Sequence, residues 1–305
     1  MSDGTERGLA LVTGASSQIG VFLLPRLVGS GFRVHAVSRQ VGAKPLELRS
    51  GPVWMHPEYA LAAEGRTNDM PGWLISAGPP SLASQLVERN PGFNKVVQFT
   101  TTSILTKSQS ANTAEQELVG RIARQEDRLK DLCAKHAVPL VVLRPTLIYG
   151  CGMDSNVTRL WQLGNRTGFI PVASQSGGLR QPVHADDLAA LAAGALEIET
   201  GSLLESAACG GSTLSYREMA KATAHCCRRK SRVVALPSGL FAAAVGVLSW
   251  FGAGMNPEMV RRQALDMVFE ASVLQEKLDY RPRPFRPAVE DFSVTERLAA
   301  FQLPG

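Results

Sequence analysis

Residues 11–20 read LVTGASSQIG, a stretch that joins an apolar run to the start of an amphipathic segment. The apolar run of residues 9–12 is continuous, whereas Ile19, Leu23 and Leu27 recur with the spacing of one helix face. The pattern predicts a strand, a glycine turn and a helix in immediate succession. In such a unit the N–H groups of the turn and the helix N-terminus face a pyrophosphate.

Two glycines and three polar residues define the predicted turn. Gly14 permits a tight turn, and Gly20 lets the helix lie close to the strand. Ser16, Ser17 and Gln18 supply N–H and side-chain donors along the loop. Ser17 and Gln18 stand where related turns carry a middle glycine, so the backbone approaches phosphate less closely. Taken alone, a turn with two glycines is not specific for a dinucleotide.

The end of the second predicted strand, RVHAVSR at residues 33–39, concerns cofactor choice. NAD-selective sites usually end this strand with an acidic residue that binds the ribose hydroxyls. Here Ser38 and Arg39 follow Val37. A guanidinium binds a 2′-phosphate that a carboxylate would repel, so the sequence favours NADP(H) over NAD(H). The alternative is that Arg39 is an ordinary exposed arginine.

Further apolar runs alternate with polar segments that are able to form helices. The runs are WLISA at residues 73–77, KVVQF at 95–99 and PLVVLRP at 139–145. This alternation predicts an α/β fold, a Rossmann-type doubly wound parallel sheet with a smaller C-terminal substrate lobe. We expect residues 1–150 to form the NADP-binding domain, residues 181–204 to return to it, and residues 151–305 to form mainly the substrate-binding lobe.

Composition excludes several classes of protein. The chain has 305 residues, 45% of them hydrophobic, and a net charge of +5 whose basic residues are scattered. This gives no reason to expect a nucleic-acid partner, and the basic cluster at residues 228–232 is typical of a solvated helix end. Five cysteines lack zinc-ligand spacing and an even disulfide framework, which predicts a reducing compartment and no metal. The polar N-terminus MSDGTERG predicts no signal peptide, hence a cytoplasmic protein.

One apolar run, SGLFAAAVGVLSWFGAG at residues 238–254, is shorter than the helix of about 20 residues that spans a bilayer. We expect a buried helix or a cover that faces a partner. The alternative is attachment to a membrane surface through Leu240, Phe241, Trp250 and Phe251.

Four stretches together carry a family resemblance. They are TGASSQIG at residues 13–20, KVVQFTTTSI at 95–104, VVLRPTLIYG at 141–150 and LRQPVHADDLA at 179–189. In this order they resemble the extended short-chain dehydrogenase/reductase family, the NAD-dependent epimerase/dehydratase group. Two further stretches, GGSTLSYREMAKA and RPRPFRPAVED, resemble the same family more weakly. The resemblance implies the following dinucleotide contacts: Gly14, Ser16, Ser17, Gln18, Ile19, Gly20, Ser38, Arg39, Pro145, Thr146 and Leu147.

The catalytic pair of that family is missing. Its members usually use a Tyr-x-x-x-Lys pair on the helix that follows the fifth strand, where the tyrosine transfers a proton. Aligning Glu126 with the glutamate that commonly follows the lysine puts Leu118 and Ile122 at the two positions, and no tyrosine lies between Tyr59 and Tyr149. Simple packing of this helix face, together with Leu129 and Leu132, is the favoured structural interpretation.

A second departure concerns the adenine edge. The segment between the second and fourth strands, GPVWMHPEYALAAEGRTNDMPGW at residues 51–73, lacks the Asp-Leu pair that the family places near adenine. We expect that edge to be truncated.

Thr101 and Thr102 are the candidate catalytic residues that remain. A threonine hydroxyl polarises a substrate carbonyl by hydrogen bonding but is too weak an acid to be the sole proton donor. The alternative is that both residues only fill a strand end. Lys107 follows a few residues later and is a further candidate.

The resemblance also suggests residues for substrate. Arg180 matches the arginine that contacts substrate phosphate in nucleotide-sugar relatives, and His184 is the other candidate, with a structural role as its alternative. Asp186 and Asp187 are expected to cap the helix that follows.

The residues are compatible with three interpretations of function. The first is an NADP(H)-binding oxidoreductase-like protein that acts on a small carbonyl, alcohol or sugar-type substrate, with a homodimer as one assembly. The second is an NADPH-sensing binding protein that has lost catalysis, which the residues at positions 118 and 122 favour. A third interpretation is an assembly subunit in which the cofactor is structural.

Overall fold

The computed structural model describes residues 7–42, 45–47, 51–62, 71–106, 113–237, 239–241 and 263–303. Three residues considered above, Lys107, Trp250 and Phe251, lie outside these ranges. Most of the apolar run 238–254 also lies outside them; of the residues named above, Phe241 is buried against Ala173, whereas Leu240 is exposed.

A sheet of eight strands forms the centre of the molecule. In chain order its strands are β1 (Leu9–Thr13), β2 (Arg33–Val37), β3 (Leu46–Glu47), β4 (Val53–Met55), β5 (Trp73–Ser76), β6 (Lys95–Phe99), β7 (Leu140–Pro145) and β12 (Leu203–Ala208). The spatial order is β12-β7-β6-β5-β1-β2-β4-β3. Seven strands are parallel, and β3 pairs antiparallel with β4 at one edge. The predicted parallel sheet is confirmed.

Helices cover both faces of this sheet. The described helices are α1 (Gln18–Gly29), α2 (Pro57–Ala62), α3 (Pro80–Arg89), α4 (Ser103–Thr106), α5 (Thr113–Lys135), α6 (Val157–Thr167), α7 (Ala185–Glu197), α8 (Tyr216–His225), α9 (Ser272–Leu278) and α10 (Glu296–Ala299), with a 3₁₀ turn at Val289–Phe292. Helices α1 and α7 pack on one face with Leu23, Leu27 and Leu188, while α3 and α5 pack on the other with Leu86 and Leu129. The doubly wound arrangement is therefore present.

A smaller lobe stands over the carboxyl ends of the strands. The remaining strands are β8 (Ile148–Tyr149), β9 (Phe169–Ala173), β10 (Leu179–Arg180), β11 (Val183–His184), β13 (Leu214–Ser215) and β14 (Arg232–Leu236). Strands β9 and β14 pair in parallel, and α6 and α8 pack beside them around Ile170, Met219 and Phe285. The chain then returns, because Ala271, Leu274 and Tyr280 lie in the core of the large sheet.

The turn between β1 and α1 is set by close backbone contacts. Gly14 has φ +64°, and a Cβ atom there would lie 2.4 Å from the backbone of Ala77. A Cβ atom on Gly20 would lie 2.1 Å from the carbonyl oxygen of Ala15. Any larger residue at either position would force the helix away from the sheet.

Candidate functional site

The N-terminus of α1 leaves donors available at the strand ends. The Ser17 side chain caps the helix by accepting from the Gly20 N–H at 3.3 Å. Among the described residues, the N–H groups of Gln18 and Ile19 have no acceptor. The Gln18 side-chain Oε1 is buried and likewise lacks a partner within those ranges.

The ends of β1 and β2 are joined by two serines. The hydroxyl oxygens of Ser16 and Ser38 lie 3.0 Å apart, and Ser38 also accepts the Gln40 N–H at 3.2 Å. Ser38 is buried, whereas Arg39 beside it is exposed and has no ion-pair partner in the described part of the chain. The glycine turn is thus linked to a free guanidinium at the tip of β2.

Two cavities open beside these strand ends. The first, named the loop-side cavity, has a volume of about 550 Å³ and is lined by residues 17–19, 77–80 and 99–101 and by one side of α5. The second, named the lobe-side cavity, has a volume of about 460 Å³ and is lined by residues 101–103, 146–148 and 153–156 and by the smaller lobe. Gln18, Thr101 and Ile148 line both, so the cavities meet at these side chains.

Three consecutive threonines follow β6, and their hydroxyl groups have different partners. The Thr100 hydroxyl donates to Glu126 Oε2 at 2.8 Å, and the Thr102 hydroxyl donates to the Pro145 carbonyl at 3.1 Å. The Thr101 oxygen accepts the Ser103 N–H at 3.1 Å. Thr101 is therefore the one of the three whose hydroxyl proton has no acceptor among the described residues.

One face of helix α5 lines the loop-side cavity with both apolar and polar side chains. Leu118, Arg121, Ile122 and Gln125 line it, with the i, i+3, i+4, i+7 spacing of one helix face. Leu118 is 46% exposed. The interpretation of this residue as simple packing is wrong, because it lines the cavity and is nearly half exposed.

A network of charges lies behind that wall. Arg144 and Lys130 both bind the Glu126 carboxylate, and both also contact Glu205, at 2.8 Å and 2.7 Å. Burial alone would raise the pKa of Glu126, but the hydrogen bonds from Arg144, Lys130 and Thr100 outweigh it and lower the pKa below its usual range. Glu126 is therefore ionised and holds Thr100 at the cavity edge.

Arg180 brings a cation to the lobe-side cavity. Its guanidinium donates to the carbonyls of Leu179 and Leu265 at 2.7 Å and 2.6 Å and lies 6.0 Å over the ring of Tyr216. Burial lowers the pKa of this guanidinium. Met153, which is half exposed, stands at the same cavity.

His184 lies elsewhere. Its Nδ1 accepts the Asp186 N–H at 3.0 Å, its Nε2 lies 3.3 Å from an Asp291 oxygen, and its ring packs edge-on against Tyr149 and Phe22. It lines neither cavity.

The helix cap that follows also differs from expectation. His184, not Asp186 or Asp187, caps α7. The predicted aspartate caps are wrong because both carboxylates face arginines instead: Asp186 binds Arg26 and Arg283, and Asp187 binds Arg283.

The expected dinucleotide contacts divide into two groups. Six line a cavity: Ser17, Gln18, Ile19, Pro145, Thr146 and Leu147. The other five, Gly14, Ser16, Gly20, Ser38 and Arg39, line neither and lie behind the turn or at the tip of β2.

Sequence reasoning missed several wall residues. Gly78, Pro79 and Pro80 follow β5 directly, and the carboxyl end of a predicted parallel strand was a signal that could have identified them. Arg121 and Gln125 could have been identified from the helical spacing around Leu118 and Ile122.

Comparison with known proteins supports the fold. No protein-family model matches the chain. The chain is 25% identical over 270 residues to the ceramide reductase of Caulobacter vibrioides, covering 83% of this chain and 81% of that protein. The structure of the UDP-glucose 4-epimerase of Thermotoga maritima with UDP-glucose superposes with a TM-score of 0.70 at 14% identity, covering 94% and 97% of the two chains.

A third comparison is with the UDP-glucose 4-epimerase of Bifidobacterium longum in complex with NAD⁺ and UDP. It gives a TM-score of 0.63 at 14% identity and covers 95% of this chain and 97% of that one. These likenesses confirm the predicted fold, which is that of the UDP-sugar epimerases. In the described parts of the chain, every helix is too short or too polar to cross a membrane.

Proposed function

We propose that this chain is an NADP(H)-dependent oxidoreductase of the extended short-chain dehydrogenase/reductase, epimerase/dehydratase group. It interconverts a ketone and an alcohol on a substrate held in the lobe-side cavity. The observation that carries the proposal is the meeting of the two cavities at Thr101. A cofactor in one cavity and a substrate in the other would react where both are open to the same hydroxyl group.

The residues present fit a nicotinamide dinucleotide. The N–H groups of Gln18 and Ile19, which have no acceptor among the described residues, and the positive end of α1 suit a pyrophosphate. The buried Gln18 Oε1 lacks a partner among the described residues, as expected for an acceptor that a ligand donor would satisfy. Gly78 lets the opposite wall approach the glycine turn closely, since a Cβ atom added at this position would lie 3.3 Å from the Gly14 nitrogen.

The proposed preference for NADP(H) rests on the tip of β2. Arg39 is exposed and has no ion-pair partner in the described residues, and the buried Ser38 fixes the backbone beside it. A guanidinium that is not already paired with a carboxylate is available to bind a 2′-phosphate.

Thr101 polarises the reacting oxygen. Of the three neighbouring threonines it alone has a hydroxyl proton without an acceptor in the described part of the chain, so it donates to the carbonyl oxygen where negative charge develops. When bound, the reduced nicotinamide supplies a hydride to the carbonyl carbon, and the oxygen takes its proton from water. Leu118 and Ile122 stand where a tyrosine and a lysine would, so this wall supplies no proton donor of its own. The balance is ketone plus NADPH plus H⁺ giving alcohol plus NADP⁺.

The lobe-side cavity favours an amphipathic substrate. Arg180 offers a desolvated cation for a polar head group, while Met153, Met267 and Phe269 offer apolar contacts. The relative named ceramide reductase supports a long-chain keto-amide as the first substrate to try.

The test is turnover with a substrate panel. Purified protein with NADPH or NADH is assayed against a long-chain keto-amide, short ketones and aldehydes, and UDP-sugars. We expect oxidation of NADPH, faster than of NADH, with at least one carbonyl compound. Tight NADPH binding with no turnover across the panel would contradict catalysis.

That last outcome is the expectation for a second function, an NADPH-sensing protein without catalysis. The exposed Leu118 and the neighbouring Ile122 favour it, because they leave no acid at the usual position. Such a sensor would bind NADPH and NADP⁺ with different affinities and change its assembly state between them. The homodimer, the peripheral membrane contact and the cytoplasmic location expected from the sequence stay predictions.

A further inference from the structure

We infer that Arg121 binds the phosphate of the nicotinamide mononucleotide half of NADP(H), which rests on the proposed function. The position of the side chain is the first reason. Arg121 lies on the wall of α5 that faces the loop-side cavity, next to Ile122 and three residues after Leu118. The two apolar residues leave this wall without the cation that a lysine at position 122 would supply.

The second reason is the absence of competing partners. Arg128 on the same helix pairs with Glu88, and Lys130 pairs with Glu126 and Glu205. Arg121 is exposed and makes no ion pair with any residue that the structure describes, including Glu117 one turn before it. Its guanidinium is thus available to a ligand.

The third reason is the chemistry of the opposite wall. Across the cavity lie the loop at Gly78 and the N-terminus of α1, where the N–H groups of Gln18 and Ile19 have no acceptor within the described ranges. Both walls carry positive potential, so the space between them favours an anion. A planar guanidinium donates two parallel hydrogen bonds to phosphate oxygens, which suits a diphosphate better than a ribose hydroxyl.

The assignment to the nicotinamide half follows from which groups share the cavity. Arg121 and Thr101 line the same loop-side cavity, and Thr101 also opens to the lobe-side cavity. Arg39, proposed to bind the 2′-phosphate of the adenosine half, lines neither cavity. The two arginines therefore act on different halves of the cofactor.

Calorimetric titration of four proteins separates the two halves. Wild type, Arg121→Gln, Arg39→Gln and the control Arg124→Gln are titrated with NADPH and with adenosine 2′,5′-bisphosphate, which has no nicotinamide half. Arg124 is exposed on the same helix but outside the cavity wall. We expect Arg121→Gln to weaken NADPH binding by about 10- to 100-fold and to leave the bisphosphate unchanged. Arg39→Gln should weaken both ligands, and Arg121→Lys should recover part of the loss.

Each contrary result has a definite meaning. If Arg121→Gln binds NADPH as well as Arg124→Gln does, or weakens both ligands equally, the inference is overturned. If wild type binds neither ligand, the proposed function fails first and the inference with it. Thermal unfolding of the variants checks that an exposed substitution leaves the fold intact.

Discussion

The hydroxyl groups of Thr100, Thr101 and Thr102 differ in what they already bind, and this difference distinguishes Thr101 as the donor proposed for the substrate oxygen. Thr100 donates to Glu126 and Thr102 to Pro145, whereas Thr101 accepts from Ser103 and keeps its proton. The sequence identified Thr101 and Thr102 as a pair but could not rank them, because the ranking depends on acceptors that lie far away along the chain.

We expect Thr101→Val to lower kcat/KM by roughly 100-fold, the usual loss for one donor to a developing oxyanion. Thr101→Ser keeps the hydroxyl and should retain most activity. Thr102→Val is the matched control and should cost about 1 kcal/mol of stability through its lost bond to Pro145, with a smaller effect on rate. Steady-state kinetics on the best substrate of the panel measures all three. A Thr102→Val variant slower than Thr101→Val would reverse the assignment.

Helix α5 has a structural feature that its apolar spacing alone did not reveal. Its apolar spacing predicted one packed face; Leu129 is buried and Leu132 packs beside it partly buried. Leu118, near the start of the same helix, instead lines the loop-side cavity and is 46% exposed. A helical pattern in the sequence shows which residues share a face of the helix. It does not show where along the helix the packing against other elements ends.

The strands show a similar limit. The five long apolar runs were predicted, but β4 contributes only three residues and β12 is interrupted by the polar residues Glu205 and Ser206. Neither has the continuous run of a buried parallel strand, so their place in the sheet depended on pairing with β2 and β7.

Glu126 makes the stability of this element depend on pH. Its pKa in the folded protein is lowered, so its contribution is present above the unfolded pKa of about 4.3 and is lost as pH falls through the folded value. We expect the free energy of unfolding in urea to fall as the pH drops from about 5 to about 3, more steeply in wild type than in Glu126→Gln. At pH 7 the variant should be less stable by about 3 kcal/mol, since Arg144 and Lys130 lose their buried partner. Asp131→Asn, exposed on the same helix, is the control; an equal change in that variant would contradict the argument.

At the scale of the whole molecule, ion pairs of Arg283 join the C-terminal segment to the large domain, in addition to the packing of Leu274 and Tyr280. Arg283 binds Asp186 and Asp187 at the start of α7, and Asp186 also binds Arg26 on α1. This cluster joins three distant parts of the chain beside the smaller lobe. The sequence showed each residue but not their proximity, which depends on the return of the chain to the sheet.

Arg283→Gln should lower the free energy of unfolding by about 1 kcal/mol, a modest value because the arginine is partly exposed. Arg286→Gln, a neighbouring exposed arginine without an ion pair in the described residues, should have no measurable effect. Urea unfolding of the two variants, in 0.1 M and about 1 M salt, compares them, and salt should narrow the gap between them. Equal stability of the two variants at low salt would mean that the cluster contributes nothing.

The outer edge of the central sheet has a consequence for behaviour in concentrated solution. The edge strand β3 offers two residues and runs against its neighbour, so it presents few unpaired backbone groups to another molecule. Short edge strands are a common protection against strand addition and fibrous aggregation. The seven parallel strands would otherwise end in an exposed edge that could pair with a strand of another molecule. The short strand β3 ends the hydrogen-bonding pattern of the sheet on that side.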